Sequence, residues 1–230
     1  MLDNLKKEVY QANMDLVRHG LVIHTWGNAS GRDSGTGLIV IKPSGVSYAS
    51  LKADDMVVMD PDGRKVEGDL NPSTDAPTHL YLYREFQSIG GVVHTHSSFA
   101  TSWAQAGRDI PAFGTTHADH YYGEVPCTRE LREDEVNNDY ELNTGKVIAE
   151  RLGKLDPLIV PSVLVNGHGP FCWGLDAAEA VYNAAALEEI AKMALYTVLL
   201  GGRESIEKYL LDKHFLRKHG KNAYYGQGKM

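Results

Sequence analysis

The sequence predicts an α/β or α+β sandwich, in which helices pack against a sheet assembled from hairpins. Three observations carry that expectation. Helical stripes open and close the chain, short runs of branched residues lie between turn signals in the middle, and no internal repeat points to a barrel of repeated units.

The elements follow in order. Leu2, Leu5, Val9, Ala12, Leu16 and Val17 recur at three- and four-residue spacing between charged positions, which predicts a helix that buries one stripe and stops at Gly20. Gly27-Asn28-Ala29-Ser30 reads as a turn, and residues 31–37 as a glycine-rich hairpin turn leading to a strand over residues 38–41. A second hairpin joins residues 56–59 to residues 64–67 through the turn at 60–63. Pro72-Ser73-Thr74 offers a cap for a helix running to about Phe86, and Gly90-Gly91 restarts the chain as a strand over residues 92–96. Ser97 and Ser98 can cap a helix through Ala106. Residues 111–128 are polar and aperiodic, and a loop that polar inside a compact protein ordinarily has a functional reason. Helices are expected over residues 143–152, 176–200 and 204–218, and strands over residues 162–165 and 171–173. Ala223-Tyr224-Tyr225-Gly226-Gln227 forms the tail.

Composition narrows the function. With 230 residues the chain can bury a substantial core without disulfides, and no linker suggests a domain cut, so residues 1–230 read as one domain. A net charge of −7, from 23 basic and 30 acidic side chains, argues against nucleic-acid binding. Lys213, His214, Arg217, Lys218 and His219 form a local basic cluster suited only to a small anion. Cys127 and Cys172 form neither a disulfide framework nor a thiolate metal motif, which fits a reducing cytoplasmic setting. The amphipathic, acid-bearing N-terminus is not expected to be a leader, and no apolar run approaches the roughly 20 residues that cross a bilayer.

Chemistry concentrates on histidine. On a strand, His94 and His96 of the segment His94-Thr95-His96 project from the same face, because side chains alternate. Both can then reach one divalent ion, and His168, set between Gly167 and Gly169, is a plausible third ligand. A histidine pair alone is a weak signal, since each ring is ordinarily a hydrogen-bonded strand or loop residue. Asp75, Asp119 and Glu141 are the acidic candidates to join them, although Asp75 also suits a helix N-terminus and Asp119 a turn. Lys-Pro-Ser-Gly at 42–45 lacks the spacing of a nucleotide phosphate loop. Its hydroxyl, backbone N–H groups and Lys42 suit a single phosphate monoester, while the plainer alternative is an ordinary turn with a solvated lysine.

Together these motifs resemble the L-ribulose-5-phosphate 4-epimerase family of the class II, metal-dependent sugar-phosphate aldolases and epimerases. The resemblance runs nearly end to end, through LVIHTWGNAS, VIKPSGVSY, PSTDAPTH, GGVVHTHSSFAT, GTTHADHYYG, VNGHGPFCWG and LDKHFLRKHGKNAYYGQ. It implies a single-domain α/β/α sandwich around a central, largely antiparallel sheet. It implies one divalent ion per subunit, usually Zn2+, on Asp75, His94, His96 and His168. It also implies substrate and phosphate contacts at Asn28, Lys42, Ser44, Gly45, Ser73 and Thr74, acid/base roles for Asp119 and Tyr225, and further site-lining roles for Glu141, His214 and Arg217. The family's members are symmetric homotetramers with sites between subunits, so Tyr225 is expected to reach a neighbouring chain's metal. Thr74 departs from a common serine but keeps the hydroxyl. Aldolases of the superfamily usually carry glutamate where Asp75 stands, and the shorter side chain favours a fixed ligand and an epimerase.

The implied reaction interconverts L-ribulose 5-phosphate and D-xylulose 5-phosphate, by retro-aldol cleavage of C3–C4, rotation of the bound glycolaldehyde phosphate, and re-addition. Two rivals are a metal-dependent aldolase acting on a related ketose phosphate and a non-catalytic carbohydrate- or metal-binding protein. The latter has no need of the Asp119 and Tyr225 pair.

Overall fold

The computed structural model describes residues 2–202 and 204–226. Seven strands form one sheet: β1 (Asn28–Arg32), β2 (Ile39–Ile41), β3 (Val57–Met59), β4 (Lys65–Glu67), β5 (Gly91–His94), β6 (Ser162–Val165) and β7 (Gly169–Gly174). Their order is β4-β3-β2-β1-β5-β7-β6, and every neighbouring pair is antiparallel. The helices are α1 (Asp3–Arg18), α2 (Ala76–Glu85), α3 (Ser98–Gln105), α4 (Thr115–Ala118), α5 (Glu133–Asn137), α6 (Tyr140–Leu152), α7 (Ala177–Leu199) and α8 (Lys208–His219).

Strand β1 shows how the layers are built. Ser30 faces α2, where its Oγ lies 2.7 Å from His79 Nδ1 and 2.8 Å from the Tyr83 hydroxyl. Gly31 faces the other way. A Cβ there would stand 2.9 Å from Val9 and 3.0 Å from Leu5 of α1, so only glycine lets that helix lie so close to the sheet. With α1, α3 and α7 on one face and α2 and α6 on the other, the chain is the expected α/β/α sandwich with an antiparallel sheet. Val9, Ala29, Val92, Leu164, Phe171, Trp173, Ala184 and Leu187 belong to one core packed through these layers. The small side chains of Ala180, Ala184, Ala191 and Ala194 keep α7 against the sheet.

Several boundaries differ from the sequence reading. Residues 28–30 form the start of a central strand and not a turn. Asn-Ala-Ser-Gly has little strand preference of its own, but β2 and β5 pair on either side, and the buried Asn13 amide bonds both the N–H and the carbonyl of Ala29. Strand β5 stops at His94, two residues early. Beyond it the partners are Pro170, which has no N–H to return, and Gly27 at φ 72°, where the backbone has left the extended region. Helix α2 begins after Asp75, not after Thr74, while Ser73 Oγ, two residues earlier, accepts from Asp75 N–H. Helix α6 starts three residues before the expected 143, α8 starts at Lys208 and not 204, and the polar stretch 111–128 contains the single turn α4. Gln227 lies outside the described residues. No helix among the described residues is long and apolar enough to cross a membrane.

Candidate active site

The end of β5, the β6–β7 turn and the N-terminus of α2 converge at one edge of the sheet. There His94, His96 and His168 offer ring nitrogens that all lie within 4.8 Å of one another. His94 Nδ1–H donates to the Pro170 carbonyl at 3.0 Å, which leaves Nε2 as a lone pair pointing at the cluster, 3.0 Å from His96 Nε2. Two nitrogens bound to one tetrahedral zinc stand roughly 3.3 Å apart, given bond lengths near 2.0–2.1 Å. Phe171 stacks on the His94 ring at 4.2 Å and fixes its plane. Burial, reinforced by repulsion from the other two rings, pushes His168 down to about 3, and burial lowers His96 as well. Imidazoles packed this closely, with the charged forms of His96 and His168 disfavoured, are what a divalent ion requires of its ligands. The cluster is therefore able to hold one, and the donor set of nitrogens suits zinc. His96 reaches this position from beyond the strand end, so the expected convergence is present although the alternation argument for it is not.

Asp75 lines the same cleft, outside the three-histidine set. It occupies the N-cap position of α2 yet makes no capping bond. Its carboxylate instead accepts from Asn28 Nδ2 at 2.7 Å. Burial raises this carboxyl, but attraction to His94 and His79, together with the Asn28 bond, outweighs it and keeps the group below its ordinary range. Asn28 also donates to Ser73 Oγ at 3.1 Å, while its own Oδ1 is buried without a partner among the described residues.

The same cleft, about 570 Å3 in volume, is also lined by Lys42, Ser44, Gly45, Ser73 and Thr74. Backbone bonds Ser44 N–H to Asn71 O and Ser73 N–H to Lys42 O lace the two segments together. Lys42 is only 1% exposed. Its ammonium donates to the Pro43 carbonyl at 3.3 Å and lies 4.8 Å from the Tyr48 ring centre, and burial pulls its pKa down. A buried cation without a carboxylate partner among the described residues, beside the Ser44 and Thr74 side chains, has the chemistry to receive an anion.

Asp119, His214, Arg217 and Tyr225 do not join this cleft. They form a second group where α4 meets α8. Arg217 grips Asp119 through two bonds of 2.8 and 2.9 Å to its two oxygens, His214 Nδ1 lies 3.1 Å from it, and Lys218 adds a charge at 3.5 Å. Burial raises the Asp119 carboxyl, and these donors more than offset it, so it stays ionised below its usual range. The basic cluster of α8 is thus partly neutralised from within the chain. Tyr225 rests between Arg217 and Lys218, at 5.2 and 4.5 Å from its ring centre, and its side chain is largely exposed. Glu141, half-buried at the start of α6, accepts from the Thr78 hydroxyl with its backbone carbonyl and is not on the cleft wall.

Sequence reasoning missed Tyr140, whose hydroxyl is 3.2 Å from His168 Nδ1, and Trp26, which lines the cleft beside His96. It also missed the buried His79 one turn along α2 from Asp75, held neutral by burial that lowers it to about 3. The spacing of Asp75 and His79 at i and i+4 was the available signal.

Comparison with known proteins agrees with this architecture. The chain is 58% identical over 227 residues to L-ribulose-5-phosphate 4-epimerase UlaF of Salmonella paratyphi A (strain ATCC 9150 / SARB42), covering 98% of this chain and all of that protein. The protein of the same description from Salmonella typhi matches equally. Among solved structures, an L-fuculose 1-phosphate aldolase superposes with a TM-score of 0.78 at 25% identity, over 92% of this chain and 94% of the other. The L-fuculose 1-phosphate aldolase from Glaciozyma antarctica PI12 shares the fold, with a TM-score of 0.77 at 16% identity over 96% and 84% of the two chains. The family described as Class II Aldolase and Adducin N-terminal domain matches residues 7–195. Sheet order, histidine cluster and sequence identity lead to one assignment: this chain belongs to the class II aldolase and adducin N-terminal domain family.

Proposed function

We propose that the protein is a metal-dependent epimerase that interconverts L-ribulose 5-phosphate and D-xylulose 5-phosphate by inverting C4. One observation carries the reading: a three-histidine cluster and a buried lysine without a carboxylate partner among the described residues share a single cleft, so an ion and a phosphate can both be gripped on one small substrate. The identity of 58% with a protein described as L-ribulose-5-phosphate 4-epimerase supports the same substrate.

C4 is not adjacent to the carbonyl, so simple deprotonation cannot invert it, and breaking C3–C4 can. A divalent ion, zinc by the nitrogen-rich donor set, held by His94, His96 and His168 with Asp75 as a fourth ligand, would supply the Lewis acidity for that cleavage. Lys42, with the hydroxyls of Ser44, Ser73 and Thr74 and the Gly45 backbone, holds the phosphate while the aldehyde fragment turns its other face. Asn28, which lines the cleft and holds Asp75 and Ser73 through its amide, contributes a further substrate contact. Asp119 takes the proton from the C4 hydroxyl on one side, and Tyr225 returns one on the other. His214 and Arg217 keep Asp119 ionised and aimed, and Glu141 lies outside the cleft, next to Tyr140 at the start of α6.

Because Asp119 and Tyr225 lie apart from the cleft within one chain, the complete site requires a neighbour, and a symmetric homotetramer meets that requirement. Exposed Tyr196, Leu199, Leu200 and Tyr209 near the ends of α7 and α8 suit such a contact. Residues 1–230 act in it as one catalytic domain. The free buried cysteines fit a reducing cytoplasm.

The fold likeness to an L-fuculose 1-phosphate aldolase makes an aldolase the second reading. Incubating metal-analysed protein with L-ribulose 5-phosphate, with and without an aldehyde trap, separates the two. The epimerase gives D-xylulose 5-phosphate and little trapped aldehyde, whereas stoichiometric free aldehyde identifies the aldolase.

A further inference from the structure

Among the described residues, two that are not glycine hold a positive φ: His24 at 56° and Asp139 at 53°. Left-handed backbone is uncommon for residues other than glycine and persists where the surroundings hold it. Each leads, within two positions, to an aromatic side chain set against a histidine of the cluster. Trp26 stands 6.3 Å from the His96 ring, and Tyr140 brings its hydroxyl to 3.2 Å from His168 Nδ1.

The turn before Tyr140 is held firmly. The Asn143 amide donates to the carbonyls of Glu135 and Asn138, the Asn143 N–H donates to Asp139 O at 2.9 Å, and the Thr144 hydroxyl donates to Tyr140 O at 2.9 Å. Asp139 in the left-handed region, at ψ 47°, then starts α6 with the Tyr140 hydroxyl against His168. The strain is local and its product is one hydroxyl placed on one ring nitrogen.

His94 shows what such a contact does. Its Nδ1–H is tied to a carbonyl, so Nε2 is the nitrogen left free toward the cluster. A histidine that binds a cation through one nitrogen keeps its proton on the other and needs an acceptor there. We propose that Tyr140 is a positioning residue for His168: its hydroxyl oxygen accepts the Nδ1–H, fixes the tautomer and ring plane, and leaves Nε2 for the ion. The inference rests on the metal reading above. Packing alone does not require the hydroxyl, because the two rings already stack at 6.1 Å.

Tyr140→Phe keeps the ring and its stacking and removes only the oxygen. Zinc affinity is measured by competition with a chromophoric chelator on wild type and variant, beside thermal melts of both zinc-free proteins. The expected result is a zinc dissociation constant raised about 10- to 100-fold, with the zinc-free melt unchanged. Nitrogen-15 spectra should also show faster solvent exchange of the His168 Nδ1–H in the zinc-loaded variant. Equal zinc affinity in the two proteins would overturn the inference and leave the metal reading standing. Weaker zinc accompanied by a matching fall in the zinc-free melt would assign Tyr140 to packing and also overturn it. A wild type that binds no zinc would overturn the metal reading and this inference together.

Discussion

Lys42→Met isolates the charge proposed to hold the phosphate, because methionine fills much the same volume without the ammonium. The wild-type ammonium is buried and has no carboxylate partner among the described residues. A hydrogen bond to a charged partner contributes about 1.5–3 kcal/mol, so the KM for the phosphorylated ketose should rise about 10- to 150-fold. Bound metal should be unchanged, since Lys42 is no part of the histidine cluster. The ligand-free variant should melt no lower than wild type, because removing an uncompensated buried cation relieves a desolvation cost. The pH dependence has a definite sign. Burial lowers the Lys42 pKa, so the wild-type protein loses its cation below the ordinary lysine value of 10.5, and its KM should climb with pH in that range. The variant should show no such alkaline limb. Steady-state kinetics from pH 7 to 10, with metal analysis of both proteins, decide it. An unchanged KM, or a normal KM with lost metal, would refute the placement of Lys42.

Other outcomes follow from the second group of residues and from the buried histidines. Tyr225→Phe should keep the oligomer and the metal and lose about 10²-fold or more in turnover, while Tyr224→Phe should be much milder; near-normal turnover in the first removes Tyr225 from the mechanism. Asp119→Asn and Lys42→Met should each be impaired, yet hybrids assembled from equal amounts of the two should regain about a quarter of wild-type turnover, because half of each half-site is intact and the halves come from different chains; no recovery in verified hybrids contradicts the shared site. The metal-free protein should lose stability on acidification. His79 and His117 are held neutral by burial, lowered to about 3 and about 4. The unfolded chain therefore binds more protons below the ordinary histidine value of 6.5, and each ring costs about 2 kcal/mol by pH 5. Urea unfolding at pH 7 and pH 5 reads this, and equal stability at the two pH values would refute it.

Much of the site was legible in the sequence because the chemistry is local. His94 and His96 are two residues apart and His168 sits in a glycine-flanked turn, so their residue types alone proposed a cluster. Alternation along a strand does not itself bring His96 in, however: it lies past the strand, and Pro170 and Gly27 determine where pairing stops. Strand β1 was read as a turn because Asn28-Ala29-Ser30 has weak intrinsic preference, and its conformation comes from β2, β5 and the Asn13 amide. Tyr140 was missed for a related reason. Nothing in its own segment announces that a left-handed Asp139 will turn it toward a histidine 28 positions away. The separation of Asp119 and Tyr225 from the cleft is a tertiary fact as well, since only the packing of α8 against α4 places them together.

The most direct test of the central claim is a zinc titration of metal-free protein with L-ribulose 5-phosphate as substrate. The account predicts no D-xylulose 5-phosphate without metal, turnover rising in proportion to added zinc, and a plateau at about one ion per chain. Replacing His94 by asparagine should abolish both zinc binding and the rise. Full epimerisation by protein shown to carry no metal would contradict the account.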